Sequence, residues 1–178
     1  MKIRNNLLLI GGTKQNVGKT TLTCDIIKKY SPGNNIIAIK TSCHFHGILD
    51  TDVVIANNEK FVIVKETVTD TGKDSARMLK NGAYEVYFIQ AKDENIGEAY
   101  IFLDKFMDKN SLVICESASL RTYVKPSIFI GMKSDKSDTI PENKNNLHLA
   151  DLFIFNYLSV KEDINSIIQI KQKKWIRK

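Results

Sequence analysis

Leu7-Leu8-Leu9-Ile10-Gly11-Gly12-Thr13-Lys14-Gln15-Asn16-Val17-Gly18-Lys19-Thr20-Thr21 decides the reading of the 178-residue chain. The apolar run Leu7 to Gly11 predicts a buried strand. A helix is expected from Gly18 to about Tyr30, with Leu22, Ile26, Ile27 and Tyr30 on one face, and Ser31, Pro32 and Gly33 stop it. The segment between them therefore joins a strand to a helix, the context that an anion-binding loop requires. In such a loop Gly12, Thr13, Lys14, Gln15, Asn16, Val17, Gly18, Lys19, Thr20 and Thr21 wrap a triphosphate with their main-chain N–H groups. Gly18 lies where the chain passes closest to the anion, Lys19 bridges the β and γ oxygens, and the Thr20 hydroxyl takes a position on Mg²⁺. The common spelling G-x-x-x-x-G-K-T places glycine at position 13. This chain has Thr13 there and Gly12 one step earlier.

Outward from the loop, strand-like and helix-like periods alternate. That pattern predicts one α/β domain over residues 1–178, a three-layer, mostly parallel sheet with helices on both faces. Ile36 to Lys40 reads as a second buried strand, followed by an irregular segment from His44 to Asp52. Val53 to Ala56 and Phe61 to Lys65 read as a hairpin insertion turning at Asn57 and Asn58. Thr71 and Asp74 resemble a capping box for a helix ending at Lys80, closed by Asn81 and Gly82. Tyr84 to Gln90 is the next strand. A helix from about Glu94 to Asp108 follows, its apolar stripe formed by Ile96, Tyr100, Leu103, Phe106 and Met107. Leu112 to Cys115, Ser127 to Ile130 and Leu152 to Phe155 are strands, and the polar stretch Lys133 to Asn146 is expected to be a mobile loop. A final helix is expected from about Lys161, with Ser159 as its N-cap.

Composition narrows the function. The net charge is +6, with Lys171, Lys173, Lys174, Arg177 and Lys178 at the C-terminal end. These read as a solvated helix end, because no aromatic interleaving marks a nucleic-acid surface. The run Leu7 to Ile10 is too short for a signal or membrane-spanning segment, so a cytoplasmic protein without membrane attachment is expected. Cys24, Cys43 and Cys115 form no C-x-x-C pair and read as reduced thiols.

Glu116 stands at the carboxyl end of a predicted strand, where ligands collect in parallel sheets. It reads either as a carboxylate holding Mg²⁺, directly or through water, or as an acid opening a loop. Lys40, His44 and His46 follow the neighbouring strand and are candidates for phosphate or substrate contacts. Cys43, His44, His46 and Cys115 fit no standard zinc spacing. Lys73 and Ser75 lie at a helix start that suits either an anion or a cap. Met132-Lys133-Ser134-Asp135 half-matches the guanine-reading N-K-x-D, and Asn156 is a second candidate for the base.

Thr13 to Thr20 resembles the deviant phosphate loop of the signal-recognition, MinD and BioD class of P-loop NTPases, whose members carry an extra lysine in the slot filled here by Lys14. The spelling from Gly12 to Thr20 is similar to that of dethiobiotin synthetase. Gly18-Lys19-Thr20-Thr21-Leu22, Ile39-Lys40 with His44 and His46, Gly72-Lys73-Asp74-Ser75 with Gly82-Ala83, and Leu112 to Glu116 most resemble the MobB-like adaptors of molybdopterin-guanine dinucleotide biosynthesis. Where that family continues E-G-F-K, this chain reads Glu116-Ser117-Ala118-Ser119. The resemblance implies Mg²⁺-dependent binding of GTP or ATP, slow hydrolysis or an adaptor role, a homodimer and a partner enzyme in molybdenum cofactor biosynthesis. The catalytic residues it implies are Lys14, Lys19 and Glu116, the two lysines at the phosphates, with Thr20 and Glu116 on the metal. The alternative is an ATP-dependent ligase or kinase acting on a small carboxylate or carbamate.

Overall fold

A computed structural model describes residues 1–49, 52–159 and 163–178. The strands are β1 (Lys2–Gly12), β2 (Ile36–Ser42), β3 (Val53–Asn57), β4 (Phe61–Glu66), β5 (Glu85–Ala91), β6 (Leu112–Glu116), β7 (Val124–Lys133) and β8 (Leu152–Phe155). They form one eight-stranded sheet in the order β3-β4-β5-β2-β6-β1-β7-β8. From β5 to β8 every neighbouring pair is parallel, while the β3–β4 hairpin joins the edge antiparallel to β5.

Alternation along the central strands sends successive side chains to opposite faces. Leu8, Ile10, Ala38 and Ile114 meet Leu22, Ile26 and Ile27 of helix α1 (Lys19–Tyr30) and Met78 of helix α2 (Asp74–Lys80). Leu7, Leu9, Ile39 and Val113 meet Ala99, Tyr100 and Leu103 of helix α3 (Ile96–Asp104) on the other face. The expected α/β architecture with helices on both faces of a mostly parallel sheet is therefore present. The alternation has a second consequence: Gly12, Lys40 and Glu116 continue the α1-facing series at the carboxyl ends of β1, β2 and β6.

The following expectations need correction. Lys73 is the N-cap of α2 and makes no side-chain cap. The Thr71 hydroxyl accepts from the Lys73 amide, and Asp74 turns its carboxylate to Lys40 and Arg77, so no capping box forms. Helix α3 ends at Asp104, and Phe106 is exposed, stacking at 5.2 Å on Phe102 rather than entering the core. The polar stretch after β7 is not wholly irregular: residues Glu142–Leu149 form a 3₁₀ segment anchored by fully buried Leu147.

The C-terminal helix is replaced by one short turn, α4 (Ile164–Ile167), and a hairpin of β9 (Ile168–Lys171) and β10 (Lys174–Arg177). Asp163, not Ser159, caps α4, accepting from the Asn165 amide; the expected start at Lys161 lies outside the described residues, as does part of the irregular segment from His44 to Asp52. Gln172 and Lys173 take φ of 48° and 56°, as a tight hairpin turn demands, without the Asn-Gly spelling that usually announces one. What holds the hairpin is Trp175, 1 % exposed, edge-on to Tyr30 and donating its indole N–H to the Val113 carbonyl at 3.0 Å. Among the described residues no helix is long and apolar enough to cross a membrane.

Trp175→Ala removes the largest fully buried side chain among the described residues and the indole hydrogen bond to the Val113 carbonyl. The expected loss is about 3–5 kcal/mol, read as a lower urea midpoint by circular dichroism; an unchanged midpoint would show that the hairpin contributes nothing to the main core.

Candidate functional site

Gly12 closes β1 beneath the turn that follows. A Cβ there would lie 2.7 Å from Val17 Cγ2 and 3.1 Å from Lys19 Cδ, so only glycine fits. This accounts for the glycine standing one step earlier than the usual spelling. Thr13 is buried and donates its N–H to the Met132 carbonyl at 3.0 Å, pinning the loop to β7. The chain then turns through Asn16 (φ 58°) and Gly18 (φ 92°), the left-handed N-cap of α1. No side chain caps α1, and its first backbone bond runs from the Leu22 N–H to the Gly18 carbonyl. The amides of Lys19, Thr20 and Thr21 thus lack helical acceptors and carry the positive end of the helix dipole.

A cleft of about 1440 Å³ opens over this turn. The Lys19 ammonium reaches into it and donates to the Lys14 carbonyl at 3.0 Å. Burial pushes Lys19 below its usual pKa; Lys40 and Lys144 push the same way and Glu116 opposes them. Lys14 projects outward to Asp138, 3.3 Å away. Asp138 also accepts from the Ser134 hydroxyl and amide, and these bonds together with Lys14 hold its carboxyl down at about 2.

Lys40 and Glu116 are direct register partners on adjacent parallel strands, so their side chains stand side by side. The Lys40 ammonium lies 2.8 Å from Glu116 Oε2, 2.7 Å from Asp74 Oδ2 and 3.3 Å from Thr20 Oγ1. Thr20 in turn donates to Glu116 Oε2 at 3.1 Å. Burial alone would lower the Lys40 pKa, but Glu116 and Asp74 outweigh it and raise it above 10.5. Glu116 is 3 % exposed, and its Oε1 has no hydrogen-bond partner among the described residues. Sequence reasoning named Lys40, Thr20 and Glu116 separately but missed Asp74 as a fourth member. Only the tertiary position of α2 brings it in.

The remaining candidates divide. His44 and His46 line the cleft; the His46 amide donates to the Gln90 side chain, and its ring lies 6.1 Å from that of Phe88. Lys73 and Ser75 line it too, but the Ser75 hydroxyl is engaged by Glu66 at 2.7 Å. Cys43 is exposed at the cleft, whereas Cys115 is buried in the opposite face of the sheet. No group of three or more His, Cys, Asp or Glu that could hold a metal occurs among the described residues. Lys133 donates to the Asp138 carbonyl, Asp135 accepts from Ser137, and neither these two nor Asn156 lines the cleft. Lys144, which sequence reasoning left inside a loop, donates to the Thr13 carbonyl at 3.0 Å. Its only sequence signal is Leu147, an apolar anchor in a polar stretch.

Comparison with family models, curated proteins and solved structures finds no match to this chain.

Lys40→Met strips the cation from a buried carboxylate. In metal-free buffer at neutral pH a loss of about 3–5 kcal/mol is expected. Because the folded pKa of Lys40 is raised, its contribution is full below 10.5 and fades as the pH climbs past it. Urea midpoints of wild type and variant should therefore converge at strongly alkaline pH; a pH-independent gap would contradict the ion-pair origin.

Proposed function

We propose that the chain binds a nucleoside triphosphate with Mg²⁺ in the loop Gly12–Thr21, as a P-loop protein acting as a slow NTPase or nucleotide-dependent adaptor resembling the MobB-like family. The observation that carries this reading is the cation position at the foot of the loop: a lysine ammonium surrounded by Thr20, Asp74 and Glu116, beside a glycine-shaped turn and an uncapped helix N-terminus. Anionic phosphate suits the helix end and Lys19, whose hydrogen-bond partner among the described residues is a carbonyl.

The residues fit a divalent cation. Glu116 Oε1 is buried without a partner, and the donors on hand are a hydroxyl and two carboxylates, all hard oxygens that favour Mg²⁺ over zinc. Thr20, Glu116 and Asp74 would hold it, and when bound it supplies charge that neutralises the β and γ oxygens. Lys40 supports the reading as the cation already favoured among these oxygens. GTP and ATP both remain within it, as do a homodimer and a partner enzyme in molybdenum cofactor biosynthesis.

One observation favours a second reading. The cleft runs beyond the loop to Ser42, His44, Glu66 and Gln90, leaving room beside the phosphates for a small second substrate. That is the arrangement a ligase or kinase resembling dethiobiotin synthetase would need to phosphorylate a carboxylate or carbamate.

Wild type should be stabilised against heat by millimolar ATP or GTP with Mg²⁺, since selective binding shifts folding by mass action. Lys19→Ala should lose that shift while keeping its ligand-free melting temperature. A wild type indifferent to all nucleotides, or a variant shifted equally, would refute the assignment. Preference for guanine would favour the adaptor, and preference for adenine the ligase.

A further inference from the structure

Five lysines line the cleft; Lys73 stands at the start of α2, and the partners of the other four sort them. Lys40 is neutralised by Asp74 and Glu116, and Lys14 by Asp138. Lys19 and Lys144 instead donate to neighbouring main-chain carbonyls, those of Lys14 and Thr13, each at 3.0 Å. Neither forms an ion pair among the described residues. A carbonyl neutralises no charge, so of these four Lys19 and Lys144 are the ones able to exchange their acceptor for an anion.

The position of Lys144 is built into the fold. It sits at an interruption in the 3₁₀ segment, where its φ of −123° and ψ of 28° are non-helical. Three residues on, Leu147 is fully buried against the start of the loop; a Cβ on Gly11 would meet Leu147 Cδ2 at 2.8 Å, so the glycine there makes room for this anchor. Asn146 adds a second tie, donating to the Thr122 hydroxyl at 2.8 Å. The side chain is half-buried and lines the same cleft as Lys19. Its charge is close enough to Lys19 to disfavour the protonation of that group.

The geometry points to Lys144 as a second phosphate-binding lysine, delivered to the terminal phosphate of the nucleotide by the 3₁₀ segment from the far side of the loop. The inference rests on the nucleotide reading above and deepens it. Two unneutralised ammonium groups parked on adjacent carbonyls repel one another in the free protein, and a triphosphate relieves that repulsion by engaging both. Recognition of the terminal phosphate thus draws on the segment after β7 as well as on the loop itself, and nucleotide binding trades the Lys144–Thr13 bond for a phosphate contact.

The test is calorimetric titration of wild type, Lys144→Ala and Lys144→Gln with Mg-ATP, Mg-GTP and the corresponding diphosphates, alongside nucleotide-free melting curves. Glutamine keeps a donor for the Thr13 carbonyl but carries no charge, so it separates a structural role from an electrostatic one. Both variants should lose about ten- to a hundredfold in triphosphate affinity, the worth of one charge-assisted hydrogen bond. The diphosphate should lose less, and Lys144→Gln should melt where wild type does. Wild-type triphosphate affinity in Lys144→Gln, or an equal loss for diphosphate, would overturn the inference while leaving the nucleotide site intact. A wild type that binds no nucleotide would remove both.

Discussion

A carboxylate buried at the end of a central strand must be neutralised, and here Glu116 is neutralised by Lys40. The parallel register of β2 and β6 makes the pairing unavoidable, since residues facing one another on neighbouring strands share a face. Desolvating both groups costs several kcal/mol each, which is tolerable only with close geometry and further hydrogen bonds. Asp74 and Thr20 supply those bonds. The result ties β2, β6, the first turn of α1 and the first turn of α2 to one point, and one of the four oxygens belonging to the two carboxylates, Glu116 Oε1, is left buried without a partner among the described residues.

That point lies directly beneath the turn from β1 to α1, which links its electrostatics to the shape of the loop. Gly12 lets Val17 and Lys19 fold back over the strand end, and Gly18 admits the left-handed step that starts the helix. An ammonium held among hydroxyl and carboxylate oxygens, an uncapped helix N-terminus and two unneutralised lysines lie along one cleft. Each feature alone is ordinary; together they fall at the carboxyl ends of parallel strands, where ligands collect in open α/β sheets.

The central strands and α1 were legible because they are governed by local rules: unbroken apolar runs for strands buried on both faces, a 3.6-residue period for the helix and glycine at its start. The β3–β4 hairpin was legible from its two β-branched runs, but not its turn: Asn57 still belongs to β3, neither asparagine takes a positive φ, and the Asn58 side chain shapes the turn by accepting from the Lys60 and Phe61 amides. Legibility failed where long-range contacts overrode local spelling. Thr71 and Asp74 spell a capping box, yet Lys40, 34 residues away in the chain, takes the carboxylate. Ile164 to Ile176 has the apolar content of a helix, but burying Trp175 against Tyr30 and the Val113 carbonyl favours a hairpin, with positive φ imposed on Gln172 and Lys173. The polar stretch from Lys133 spells an irregular loop, yet its end forms a 3₁₀ segment whose Leu147 fills the space left by Gly11. In the site, Gly12, Lys19, Thr20 and Glu116 were named from motif and strand position. Asp74 and Lys144 were not, because no local pattern encodes which distant element will deliver a side chain.

Amide chemical shifts test the central claim most directly. In a titration of the ¹⁵N-labelled protein with Mg-ATP or Mg-GTP, the N–H resonances of Gly18, Lys19, Thr20 and Thr21 should move furthest and saturate together, as donors to a phosphate must. Saturable binding that shifts resonances elsewhere and leaves these four in place would contradict an anion cradle between Gly12 and Thr21.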